Sequence, residues 1–211
     1  MPETLTELRV DAFLQRLSSP TPTPGGGSAA ALAGAAGAAL VHMVLELTAG
    51  RPDAPDDETL TELRTAAAVW QSELLHLVEL DAAAYDAVIA SRRLPRDTDR
   101  EREHRRVQVV AAVREAIRVP LGIVRRASEV IDLAGRVAPM GNRNAISDIG
   151  VAALLAAASA RGAALNVRIN VPALPEDDPV RSESLAELDR LLRDLDARER
   201  SVAATVEARL G

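Results

Sequence analysis

Apolar positions recur along most of the chain at spacings of three and four, the period of a helix face. Polar and proline-rich breaks divide these stretches. The first opens on a capping-box pattern, Thr4-Leu-Thr-Glu7, carries Leu5, Leu8, Phe13, Leu14 and Leu17, and stops at Ser18-Ser-Pro20. A second helix is expected over 28–48, ended by Gly50, and a long third over 57–92, striped from Leu60 through Leu74 to Val88. Thr98-Asp-Arg-Glu101 caps a fourth, which meets Val119-Pro120; the missing proline N–H predicts a kink or short break before a further helix over 121–137. A small-residue helix over 145–167 and an amphipathic one over 182–210 complete the set. Val167, Ile169 and Val171 alternate as in a strand, but no second strand exists to pair with them, so they read as a helix exit. The pattern predicts one all-α domain, 1–211, built as a bundle of long helices.

Composition sharpens this. Phe13, Trp70 and Tyr85 are the only aromatics, so the core must be alanine, leucine and valine, and the helices must approach closely. Gly34, Ala35, Gly37 and Ala38 give the second helix a smooth face, suited to the bundle centre or a subunit contact. Residues 29–45 approach the length of a membrane span, broken only by His42; their alanine and glycine content, and Glu46 directly after, favour a buried bundle helix. No signal peptide is visible at the N-terminus, which makes the expected localisation cytoplasmic, with no membrane partner. Every basic residue counted with the lysines is arginine, so no Schiff-base or P-loop lysine exists. A net charge of −6 and so few stacking rings argue against nucleic-acid binding. With no cysteine, and with His42, His76 and His104 far apart, no metal site is expected.

Polar residues set into apolar helices are the candidates for chemistry, because burying them costs free energy unless they are paired or used. Four places qualify. The first is Pro20-Thr-Pro-Thr-Pro24-Gly25-Gly26-Gly27-Ser28, a stiff turn, three glycines and a residue placed to cap the second helix. Its bare amides suit a polar ligand or anion; equally, glycine can serve turn geometry alone. The second is Asp81 with Tyr85 one turn on, among alanines that leave room around the carboxylate, although Asp81 also fits an exposed helix position. The third is Asn142, Asn144, Ser147 and Asp148, where Asn144 can simply cap a helix. The fourth is Asn166, Arg168 and Asn170, with an Arg168–Asp148 ion pair as the structural alternative. His42, on an apolar helix, reads as a core histidine.

Several of these stretches resemble a known family. Pro22-Thr-Pro-Gly-Gly-Gly-Ser-Ala-Ala-Ala-Leu-Ala-Gly, Asp81-Ala-Ala-Ala-Tyr, Val119-Pro-Leu, Gly141-Asn-Arg-Asn-Ala-Ile-Ser-Asp-Ile-Gly-Val-Ala-Ala-Leu-Leu and Asn166-Val-Arg-Ile-Asn are similar, in order and over about 8–175, to the cyclodeaminase/cyclohydrolase family. That family includes the C-terminal domain of formiminotransferase-cyclodeaminase and stand-alone bacterial methenyltetrahydrofolate cyclohydrolases. The resemblance implies an all-helical homodimer with a folate site near the subunit interface and no permanently bound cofactor, a tetrahydrofolate derivative being the substrate. It implies hydrolysis of 5,10-methenyltetrahydrofolate to the 10-formyl form, with Asp81 assisting the water and Asp148 second. Pro24, Gly25, Gly26, Gly27, Ser28, Tyr85, Asn144, Ser147, Asn166 and Arg168 would bind substrate, the glycine loop and Arg168 taking polar edges or a carboxylate. The alternatives are a cyclodeaminase releasing ammonia and a non-catalytic folate-binding homologue. One stretch departs: family members commonly continue after the second helix with lysines and an aromatic, where this chain has Arg51-Pro-Asp-Ala-Pro-Asp-Asp.

Overall fold

Residues 4–210 are described in a computed structural model of the chain. Among them, one 3-10 turn over Leu5–Glu7 precedes seven α-helices: α1 Val10–Leu17, α2 Gly26–Thr48, α3 Asp57–Arg92, α4 Asp99–Val137, α5 Ile146–Asn170, α6 Pro179–Leu192 and α7 Leu195–Leu210. The capping signals explain the sharp starts. Asp56 accepts from the Thr59 amide at the head of α3, and Thr98 and Glu101 form the reciprocal box at the head of α4.

The long helices α2 to α5 form an up-and-down bundle in which each neighbour runs antiparallel to the next. Ser28 lies beside Asp81 while Gly34 lies beside Leu74, which fixes the α2–α3 register. Arg126 reaches Glu73 and Arg136 reaches Glu62, which fixes α3 against α4. The tightest crossing joins α2 to α5. A Cβ on Gly37 would stand 2.9 Å from the Ala152 carbonyl oxygen, so these helices meet backbone to backbone. Both α2 and the 143–173 segment are long and apolar enough to cross a membrane, and about half of each such stretch is buried inside the bundle.

Four details differ from the sequence pattern. The first helix is split: a 3-10 turn holds Leu5–Glu7, and α1 begins only at Val10. Ser28 is not a cap, because α2 starts at Gly26 with Gly25 as its capping residue. The expected final helix over 182–210 is two helices, and Arg198 of α7 braces the break by donating to the Leu191 carbonyl (3.0 Å) and to Asp132 on α4 (2.9 Å).

The last difference matters most for the site. α4 runs unbroken through Pro120. Proline has no N–H to give, so the Ala116 carbonyl four residues earlier loses its helical partner. The Asn170 side-chain amide supplies one, donating to that oxygen at 2.8 Å. The helix survives its proline because another helix completes its hydrogen bonding.

α3 and α4 outrun their partners. Asp81 already sits beside the start of α2, and Ala116 beside the end of α5. The remaining turns form a hairpin that projects on the order of 20 Å past the bundle end at 1.5 Å per residue.

Candidate active site

At the step where α2 begins, α5 ends and the hairpin continues, a cavity of about 280 Å³ opens. Gly25, Gly26 and Gly27, with Thr23 before them, form one wall; Asp81 and Tyr85 of α3 form the second. Asn166, Ile169 and Asn170 of α5 form the third, against Ala116 of α4. Pro24, buried behind a cis Thr23–Pro24 bond, lies inside the loop, and the Thr23 hydroxyl donates to Asp86 at 3.2 Å. The glycine loop is thus fastened to α3 on both sides of Asp81.

Among the described residues that line the cavity, Asp81 is the one carboxylate. Its carboxylate accepts from the Ser28 hydroxyl at 3.0 Å, and Ser28 itself is wholly buried, its hydroxyl also lying 3.0 Å from the Val78 carbonyl. The carboxylate rests directly on Gly27. A Cβ there would fall 2.0 Å from Oδ1, so no residue but glycine leaves room for it. Burial pushes the Asp81 carboxyl above the usual aspartate range, and hydrogen bonds from the Ser28 side chain and amide pull it partly back. A half-buried carboxylate with a raised pKa, facing a cavity lined by amides, can take and return a proton.

The structure therefore brings together Pro24, Gly25, Gly26, Gly27, Ser28, Asp81, Tyr85 and Asn166 from three separate stretches. It does not bring Asn144, Ser147 or Asp148 to them within one chain. These lie at the other end of α5, about 30 Å away along its axis for the 20 residues between Asp148 and Arg168. That separation also removes the Asp148–Arg168 pair. Asn142 has a structural task there: its amide groups donate to Thr48 Oγ1 (2.9 Å) and the Leu47 carbonyl (2.8 Å), closing α2. Arg168 is exposed and outside the cavity lining. The acidic 51–57 loop follows α2 and so sits at the end of the bundle away from the glycines of its own chain. His42 is half-buried on α2, 3.9 Å from Glu46 and away from the cavity.

Asn170 and Thr23, which lie in the candidate stretches but outside the expected substrate-binding set, also line the cavity. The signal for Asn170 was Pro120, since a proline inside a helix announces a free carbonyl in need of a donor.

The family model described as Formiminotransferase-cyclodeaminase matches residues 9–190. The chain belongs to that family. Within it, a methenyltetrahydrofolate cyclohydrolase of Methylorubrum extorquens is 41% identical over 202 residues, covering 95% of this chain and 97% of its own length. The formimidoyltransferase-cyclodeaminase of Rattus norvegicus is 31% identical over 208 residues; the chain spans 38% of that longer protein. A formiminotetrahydrofolate cyclodeaminase from Thermotoga maritima shares the fold, with a TM-score of 0.85 at 24% identity over 95% of this chain and 96% of the other.

Proposed function

We propose that the protein is a methenyltetrahydrofolate cyclohydrolase, an enzyme of folate one-carbon metabolism that hydrolyses 5,10-methenyltetrahydrofolate to 10-formyltetrahydrofolate in the cytoplasm. The observation that carries this is the pairing of Asp81 with Gly27 and Ser28 in the glycine-walled cavity, in a chain that matches a cyclohydrolase over almost the full length of both.

The chemistry fits the residues present. The methenyl carbon is an amidinium and already electrophilic. Water attacks it as Asp81 takes one proton, giving a neutral hydroxymethylene bridge between N5 and N10. Protonated Asp81 then returns that proton to N5 as the carbon–N5 bond breaks. The hydroxyl proton leaves to solvent as the formyl C=O forms on N10. One water is added and one proton released. Before attack, the carboxylate also faces and stabilises the cationic bridge. The glycine amides, Tyr85 and Asn166, which line the cavity, would hold polar edges of the pterin. Asp148, Asn144 and Ser147 enter only from the partner subunit of a homodimer, and Arg168 lies where only the outer part of a bound folate would reach it.

The test is the decay of the methenyl absorbance. Wild-type protein should accelerate it, and Asp81→Asn should lower kcat/KM by about 10²–10⁴, the usual worth of a general base. Equal rates with and without protein would sink the proposal. The rat relative supports a second reading, formation of the same methenyl compound from formiminotetrahydrofolate with loss of ammonia; ammonia release from that substrate would identify it. Folate binding without turnover of either substrate would leave a binding homologue.

A further inference from the structure

A second cavity, of about 640 Å³, opens on the projecting α3–α4 hairpin. Five arginines line it, Arg92, Arg96, Arg102, Arg105 and Arg106, around an apolar floor that includes Val109. This is a local concentration of positive charge in a chain of net charge −6. Two of the five are balanced: Arg102 pairs with Asp99 (2.5 Å) and Arg106 with Glu103 (2.7 Å). Arg105 donates to the Arg92 carbonyl and closes the end of α3. Among the described residues, the guanidinium groups of Arg92 and Arg96 have no ion pair or hydrogen bond.

Its position ties it to the candidate active site. Arg92 follows Asp81 by eleven residues and Tyr85 by seven, which keeps all three on one face of α3. Val109 precedes Ala116 by seven on one face of α4. The third wall, 173–175, follows directly on Asn170. The two cavities thus share α3 and α4 as walls and lie roughly 10–17 Å apart by helix rise.

We propose that the arginine cavity receives the glutamate tail of the substrate. The p-aminobenzoyl group would span this distance from the bridging carbon at Asp81, and each γ-linked glutamate would bring one more carboxylate to Arg92, Arg96 and Arg105. Guanidinium forks match carboxylates in bidentate fashion, and the methylenes of the tail match the valine floor. Exposed pairs are individually weak and screened by salt, so the gain comes from several carboxylates acting together. This inference rests on the folate reading, and its test separates the two.

The test uses mono- and triglutamate forms of 5,10-methenyltetrahydrofolate with wild type and an Arg92→Ala/Arg96→Ala variant. A dye-labelled γ-linked tetraglutamate without pterin serves as a binding probe for both. Wild type should favour the triglutamate by about tenfold in kcat/KM, mostly through KM, and lose that preference at high salt. The double variant should turn over both forms alike, with monoglutamate kcat unchanged. Turnover without a chain-length preference, or a preference kept by the variant, overturns the inference and leaves the cyclohydrolase reading intact. If neither form is turned over, the cyclohydrolase reading falls and the probe decides: binding lost in the variant supports an oligocarboxylate site, and no binding overturns it.

Discussion

Gly27 and Asp81 are one unit made of two residues 54 positions apart. The carboxylate occupies the space that any side chain at Gly27 would fill, and Ser28 supplies hydrogen bonds that favour its charged form against the effect of burial. Gly27→Ala should therefore displace Asp81, with a stability cost of about 1–3 kcal/mol from overpacking and a much larger proportional loss of activity, seen by comparing Tm with kcat/KM. The acid limb of the kcat/KM–pH profile should fall above the ordinary aspartate range, since burial favours the protonated form. Ser28→Ala removes an interaction that lowers the Asp81 pKa, so it should move that limb further up in pH. A downward shift would mean that another group titrates. Stability has a defined sign as well. Because the folded pKa is raised, proton binding favours the folded state; that advantage is full at low pH and is lost as pH rises through the folded pKa. Asp81→Asn should thus raise Tm at neutral pH, and the gain should shrink on acidification towards the pKa of the unfolded chain.

Pro120 and Asn170 show how the elements hold the cavity in place. The proline frees the buried Ala116 carbonyl, and Asn170 binds it, which fixes the last turn of α5 against α4 and sets the third wall. Asn170→Ala leaves that carbonyl without a donor and should cost about 1–3 kcal/mol. In a Pro120→Ala background an N–H is restored, so the same substitution should cost clearly less; denaturant melts of the four proteins form the double-mutant cycle. Equal costs in both backgrounds would show that the contact does not satisfy the carbonyl. This exchange also marks where sequence reading stopped. Apolar periodicity and caps located α3 and the start of α4 closely, because both signals are local. The short break expected as one outcome at Pro120 is absent, because the compensating donor comes from 50 residues away. The split at Arg193 and Asp194 was hidden similarly, since Arg198 and its partners on α4 hold that break. The motifs identified Gly27, Ser28 and Asp81 as candidates, but the reason for glycine, a carboxylate packed on its backbone, is a three-dimensional contact.

At the scale of the whole molecule, the outer face of the α2–α5 pair is the surface that a monomer explains least. Leu32, Met43 and Leu47 on α2 and Val151, Leu154, Leu165 and Ile169 on α5 are exposed, at helical spacings, on the two helices with the smallest side chains. We propose a second copy as the occupant, since two equivalent apolar faces can pair about a two-fold axis. Ala158 is midway between Ser147 and Ile169, so two α5 helices crossing antiparallel there would bring Ser147 and Asp148 of the partner subunit to the end of α5 that lines the Asp81 cavity. Polar groups that are about 30 Å apart in one chain would then belong to one site. The same axis would bring the partner's acidic 51–57 loop towards that end, giving its departure from the family pattern a direct bearing on binding. Sedimentation should give a particle of two chains. Leu154→Glu/Leu165→Glu, which places charges on the apolar stripe, should give one chain with unchanged helical circular dichroism and a sharply reduced cyclohydrolase rate. A folded monomeric variant that keeps full activity would show that each chain carries a complete site, and would remove Asn144, Ser147 and Asp148 from it.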